Sequence, residues 1–150
     1  MNENGEASIQ IAATPEAVYD LVSDITRMGE WSPECVRGEW RDGATGPAPG
    51  AKFQGFNAMG EFTWEAACEV KRTQRGEVFE FAAAVPDPKQ TTWTFELAPV
   101  DGGTLVTQRF HAPMLNAEGY ASSKIPGRDE QLQAGMVQTL ASLKTTAESG

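Results

Sequence analysis

The chain's 150 residues, 40 % hydrophobic and 22 % charged, have the make-up of one globular domain with a core of its own. A net charge of −9 with only twelve lysines and arginines argues against a phosphate-binding basic face, and so against nucleic acid and against lasting attachment to anionic headgroups. Two cysteines and one histidine cannot assemble a Cys/His zinc site, and no metal or other cofactor is expected.

The polar stretch Met1 to Glu6 carries no apolar run, reads as a disordered tail, and does not resemble a secretion signal. With no apolar stretch long enough to span a membrane, the expected address is cytoplasmic, with both thiols reduced. Ala7 to Ala13 alternates as a first strand through Ile9 and Ile11. Thr14-Pro15-Glu16 then opens a helix: the threonine caps it, and proline suits the first helical position, where its missing N–H leaves nothing unpaired. Val18, Leu21, Val22 and Ile25 form its buried stripe, a second short helix covers Ile25 to Gly29, and Trp31-Ser32-Pro33 ends it.

From Cys35 onward the period falls from 3.6 to 2. Six alternating runs follow, around Cys35–Arg41, Ala51–Asn57, Phe62–Lys71, Phe79–Val85, Thr92–Leu97 and Val106–Phe110. Turn chemistry separates them: Gly43 to Gly50, Met59-Gly60, Arg75-Gly76, Pro86-Asp87-Pro88 and Asp101-Gly102-Gly103. Short connections between consecutive strands imply an antiparallel meander. One face collects Trp40, Phe53, Trp64, Phe79, Phe81, Trp93, Phe95 and Phe110, while the other carries the charges. The connection 112–126 is too long for a plain turn and is expected to act as a lid. From about Arg128 to Ala147, Leu132, Met136, Leu140, Leu143 and Ala147 recur at helical spacing, with Val137 widening the stripe. Asp129 and Glu130 in its first turn and Lys144 near its end suit the helix dipole.

Gly38, Gly55, Ala66 and Ala83 lie among the rings and leave volume beside them, which points to a pocket rather than a solid core. Asn57 and Gln108 are the polar residues on that face, and no charged side chain falls there by alternation, so a neutral ligand oriented by amides is the match. Trp40, Phe53, Asn57, Trp64, Phe81, Trp93 and Gln108 are therefore the expected lining, with Trp31, Met59 and residues 112–126 at the entrance. As proton-transfer or carbonyl-polarising groups the sequence offers Asn57, His111 and Tyr120, without a paired acid and base. Cys35 and Cys68 read as structural. Phe56, on the polar face, is the one hint of a protein-interaction module.

Four stretches resemble the START-like (SRPBCC) superfamily, in its polyketide cyclase/dehydrase and lipid-transport branch. They are Ala13-Thr14-Pro15-Glu16-Ala17-Val18-Tyr19-Asp20-Leu21-Val22-Ser23-Asp24, Met28-Gly29-Glu30-Trp31-Ser32-Pro33-Glu34, Gly50-Ala51-Lys52-Phe53-Gln54-Gly55-Phe56-Asn57, and Gly102-Gly103-Thr104. The resemblance implies an α+β helix-grip fold over 1–150: a curved sheet of about seven strands around the C-terminal helix. The expected state is a monomer or homodimer. The resemblance further implies a cavity for an apolar or aromatic molecule, lipid- or polyketide-like. The alternatives are a cofactor-free cyclase or dehydratase of polyketide-type substrates and a protein-interaction module, since fold alone does not choose among them.

Overall fold

The computed structural model describes residues 1–149. Strand β1 (Asn4–Ile11) is followed by helix α1 (Pro15–Val22) and a 3-10 segment (Ile25–Glu30). Six strands then run in order: β2 (Cys35–Arg41), β3 (Lys52–Met59), β4 (Phe62–Gln74), β5 (Val78–Ala83), β6 (Thr91–Val100) and β7 (Gly103–His111). Two 3-10 turns, Pro113–Asn116 and Ala121–Lys124, lead into helix α2 (Arg128–Ser149). The strands form one antiparallel sheet in the order β1-β7-β6-β5-β4-β3-β2, so the meander is closed by β1 returning to β7. This is the α+β helix-grip architecture. None of the described helices is long and apolar enough to cross a membrane.

Local chemistry explains the starts and bends. Thr14 Oγ1 accepts from the Ala17 N–H at 3.2 Å, and Pro15 occupies the first turn of α1. Val18, Tyr19 and Val22 turn inward from that helix. The 3-10 segment lies tightly on β2 at Gly38, where a Cβ would stand 2.5 Å from the Ile25 carbonyl oxygen. Gly60 turns the β3–β4 hairpin with a φ of 63°. Register shifts between Cys35 and Arg37 on β2 and between Val70 and Arg72 on β4 bend the sheet.

The core lies between the sheet's inner face and the helices. Ile11, Val18, Val22, Phe53, Val70, Phe79, Val106, Leu140 and Leu143 are fully buried there. A second cluster, Phe110, Ala112, Leu115 and Met136, ties the end of β7 to α2. The outer face is charged and paired, as in Arg72 with Glu80 and Arg109 with Glu6 and Glu96.

Three expectations are corrected. Asn4 to Glu6 are not a loose tail: they pair with His111 to Arg109 in β1, and Gly5 lies close beneath the Phe110 ring. Val137 does not widen the buried stripe of α2; it is 57 % exposed, and Thr139 is buried instead. On β2 the bulge reverses the parity at its start, so Cys35 turns inward and Val36 is left 57 % exposed.

Candidate functional site

The sheet and α2 do not close on each other everywhere. Between them lies a cavity of about 130 Å³. Phe53, Phe81, Trp93 and Phe95 supply its aromatic wall, and Leu132, Gly135, Met136 and Thr139 its helical side. Its volume comes from missing side chains: Gly55, Ala66 and Ala83 line it among the rings. An empty space of this size forfeits about 3 kcal/mol of packing at roughly 24 cal/mol per Å³. A valine or leucine at any of those three positions would recover part of it. The other hollows are shallow and open to solvent, including one along the Asp42 to Lys52 loop.

Two amides face this space. Asn57, half-buried, lines the side nearer the β3–β4 hairpin. Gln108 lines the opposite side and is only 6 % exposed. Its Oε1 is sealed from solvent and has no hydrogen-bond partner among the described residues. Gln108 stands opposite Ala7 on β1 and Phe95 on β6. Since Glu6 meets Gln133 and Gln10 meets Lys144 along α2, Gln108 is level with Met136 and Thr139.

At the mouth sits a feature that alternation did not reveal. Glu34 lines the cavity, and both its oxygens accept from the Arg128 guanidinium, at 2.6 and 2.7 Å. The Arg128 side chain is 10 % exposed and that of Glu34 23 %. Arg128 also donates to Gln131 Oε1 at 3.2 Å and lies 3.8 Å from the Met59 sulfur. This fork ties the first turn of α2 to the chain entering β2, across 94 residues of sequence. Trp31 lines the same end, as do Ser32 and Pro33. Met59 touches the fork rather than the cavity.

The remaining expected residues divide. Phe53, Asn57, Phe81, Trp93 and Gln108 come together around the cavity. Trp40 does not reach it; its ring packs edge-on against Phe53, with centroids 5.6 Å apart. Trp64 also stays outside, stacked on Phe62, which is 61 % exposed. In the register Trp64 is level with Asn57, but its ring lies on Phe62 toward the hairpin end and not over the cavity. No residue of 112–126 lines the cavity. Leu115 is buried, the Ala112 N–H donates to the Glu3 carbonyl, and Asn116 donates to Glu3, which pins the expected lid to the β1 end.

His111 is exposed, its Nδ1 within 2.9 Å of Asn4 Oδ1, and Tyr120 donates to Asp87 at 2.5 Å. The Asp87 carboxylate raises the Tyr120 phenol above its ordinary range. Neither residue lines the cavity. Phe56 is covered by the Arg37 guanidinium, 3.8 Å above its ring, which removes it as a bare apolar contact. Cys35 and Cys68 both line the cavity. Burial pushes the Cys68 thiol up to about 12 and raises that of Cys35, so neither is a ready nucleophile. Among the described residues no three His, Cys, Asp or Glu side chains gather closely enough to hold a metal ion.

Residues 4–148 match the family model described as polyketide cyclase/dehydrase and lipid transport. The chain belongs to that family. A polyketide-cyclase-like protein of Corynebacterium glutamicum is 32 % identical, covering 99 % of this chain and 86 % of its own, with a TM-score of 0.56. The di-domain ARO/CYC protein StfQ of the steffimycin biosynthetic pathway superposes with a TM-score of 0.73 at 15 % identity, covering 98 % of this chain and 51 % of its own. Ara h 8.0201 superposes with a TM-score of 0.69 at 10 % identity, covering 98 % of both chains. The last two likenesses, at such low identity, concern the fold. A comparison with curated proteins found no match. Within the polyketide cyclase/dehydrase and lipid-transport family, then, this member has a ring-walled cavity, an unpaired buried amide oxygen on a residue that lines it, and an ion pair at the mouth.

Proposed function

We propose that this protein binds an apolar or aromatic small molecule in the cavity between the sheet and α2. The observation that carries this is the unfilled volume itself. About 130 Å³ is kept open by Gly55, Ala66 and Ala83 where larger side chains would pack more stably. Burial of apolar ligand surface, at about 25 cal/mol per Å², supplies the driving force. Phe53, Phe81 and Trp93 are its contact surface, and Asn57 and Gln108 fix orientation.

Family membership is equally compatible with cyclisation or dehydration of a polyketide-type substrate. Such chemistry needs a group that moves a proton at the substrate. Of Asn57, His111 and Tyr120 only Asn57 lines the cavity, and an amide is neither acid nor base near neutral pH; Glu34, a carboxylate in the lining, has both oxygens held by Arg128. Binding without turnover is therefore the better-supported reading. A lipid- or polyketide-sized ligand needs a pocket of roughly 300 Å³ or more, so it would require the Glu34–Arg128 mouth to part.

The test is an intrinsic-fluorescence titration against a graded panel of apolar compounds, from single rings to fatty acids and sterols. Trp31 and Trp93 line the cavity and report on it, whereas Trp40 and Trp64 do not. Saturable quenching that shrinks in Trp93→Phe is expected. Flat titrations across the whole panel would overturn the proposal.

A further inference from the structure

We infer that the preferred ligand is a single-ring aromatic carrying one hydroxyl, held with that hydroxyl donating to Gln108 Oε1. This rests on the cavity being the binding site and adds its ligand's size and polarity. Size comes first. An engineered apolar cavity of roughly 150 Å³ takes up one benzene molecule. The cavity here, about 130 Å³ with aromatic walls at Phe53, Phe81, Trp93 and Phe95, accommodates one ring of that kind and not two.

Polarity follows from Gln108. Its side chain is more than nine-tenths buried, and its Oε1 has no partner among the described residues. An unpaired buried acceptor destabilises the empty protein, and a ligand hydroxyl relieves it. The bond before the amide group is torsionally soft, and rotation about it turns the oxygen toward the cavity that Gln108 lines. The buried Thr139, level with it on α2, leaves the same end polar on both sides. Asn57 lines the cavity from four strands away along the curved sheet and is only half-buried. The Gln108 end is the buried one, and there a hydrogen bond meets no competition from water.

A series of phenol, anisole and toluene, with 1-naphthol, a fatty acid and a sterol as larger probes, titrated by calorimetry into the parent protein and into Gln108→Leu, tests the inference. In an apolar cavity without a partner, phenol binds more weakly than toluene, because its hydroxyl leaves water unpaired. In the parent, phenol is expected to bind at least as tightly as toluene and more tightly than anisole, which cannot donate. In Gln108→Leu toluene binding persists, which certifies the pocket, while the phenol-to-toluene affinity ratio falls about tenfold. A parent that prefers toluene, or a ratio unchanged by the substitution, overturns the role of Gln108 and leaves ligand binding standing. Saturable binding confined to 1-naphthol or larger compounds overturns the single-ring limit and also leaves it standing. No saturable binding by any of them overturns both. Should Gln108→Leu fail to fold, the order of the three ligands in the parent decides.

Discussion

Replacing Glu34 by alanine removes the counter-ion of a guanidinium whose side chain is 10 % exposed, and the cost can be worked from its surroundings. Both Glu34 bonds, at 2.6 and 2.7 Å, are lost together. Arg128 keeps only Gln131 Oε1 at 3.2 Å and the weakly accepting Met59 sulfur at 3.8 Å. Stripping one partner from a buried pair costs about 3–5 kcal/mol, and the surviving Gln131 bond places this site at the low end, about 3 kcal/mol. The reverse change, Arg128→Leu, should cost less, because the Glu34 side chain is 23 % exposed and recovers hydration at the mouth. The double variant should be more stable than Glu34→Ala alone, since no charge is then left buried. Urea unfolding of the parent, both single variants and the double variant closes the cycle. For a domain of this length, about 3 kcal/mol lowers the thermal midpoint by about 6–12 °C. A Glu34→Ala cost below about 1 kcal/mol, or additive single effects, would mean that water reaches the guanidinium and that the mouth is not tied as described.

Gly55→Val should fill part of the cavity without harming the fold, because a Cβ there meets nothing closer than 3.8 Å. Its thermal midpoint should equal or exceed the parent's while ligand affinity falls about tenfold or more; retained affinity would place the ligand elsewhere. Glu80 is held below the ordinary carboxylate range, chiefly by hydrogen bonds from Arg72, against an opposing desolvation and with help from Thr94. A depressed folded-state pKa contributes stability above the unfolded value near pH 4.5 and loses it as the pH falls through the folded value. The parent's advantage over Glu80→Gln should therefore be full at pH 7 and shrink in acid unfolding curves below about pH 4.5; a constant difference would contradict it. Cys68, pushed up to about 12 by burial, should resist a thiol reagent at pH 8 until urea unfolds the chain. Rapid labelling in the native state would contradict its burial.

What could be read in the sequence follows from how local each signal is. The stripe Leu132, Met136, Leu140 and Leu143 and the alternation through Phe53, Phe79, Phe95 and Phe110 repeat at fixed short periods, and they give the sheet and its helix directly. Gln108 was placed on the inner face by the same parity. Parity fails wherever an extra residue enters a strand, as it does between Cys35 and Arg37, where the sulfur turned in and Val36 turned out. It is also silent on which way a ring leans along its strand: Trp64 stands opposite the cavity-lining Asn57 yet stacks on Phe62, outside the cavity. The Glu34–Arg128 fork joins residues 94 apart, and neither stands in a pattern that marks it as buried. The strand character of Asn4 to Glu6 was hidden because it rests on backbone pairing with β7 and needs no apolar side chain.

The most direct test of the account is a two-dimensional NMR titration with whichever panel compound quenches Trp93. Binding in the cavity predicts that amide shifts concentrate at Phe53, Phe81, Gln108 and Thr139, while His111 and Phe62 stay still. Shifts gathered on the Phe62–Trp64 hairpin or the charged outer face, with those four unmoved, would contradict it.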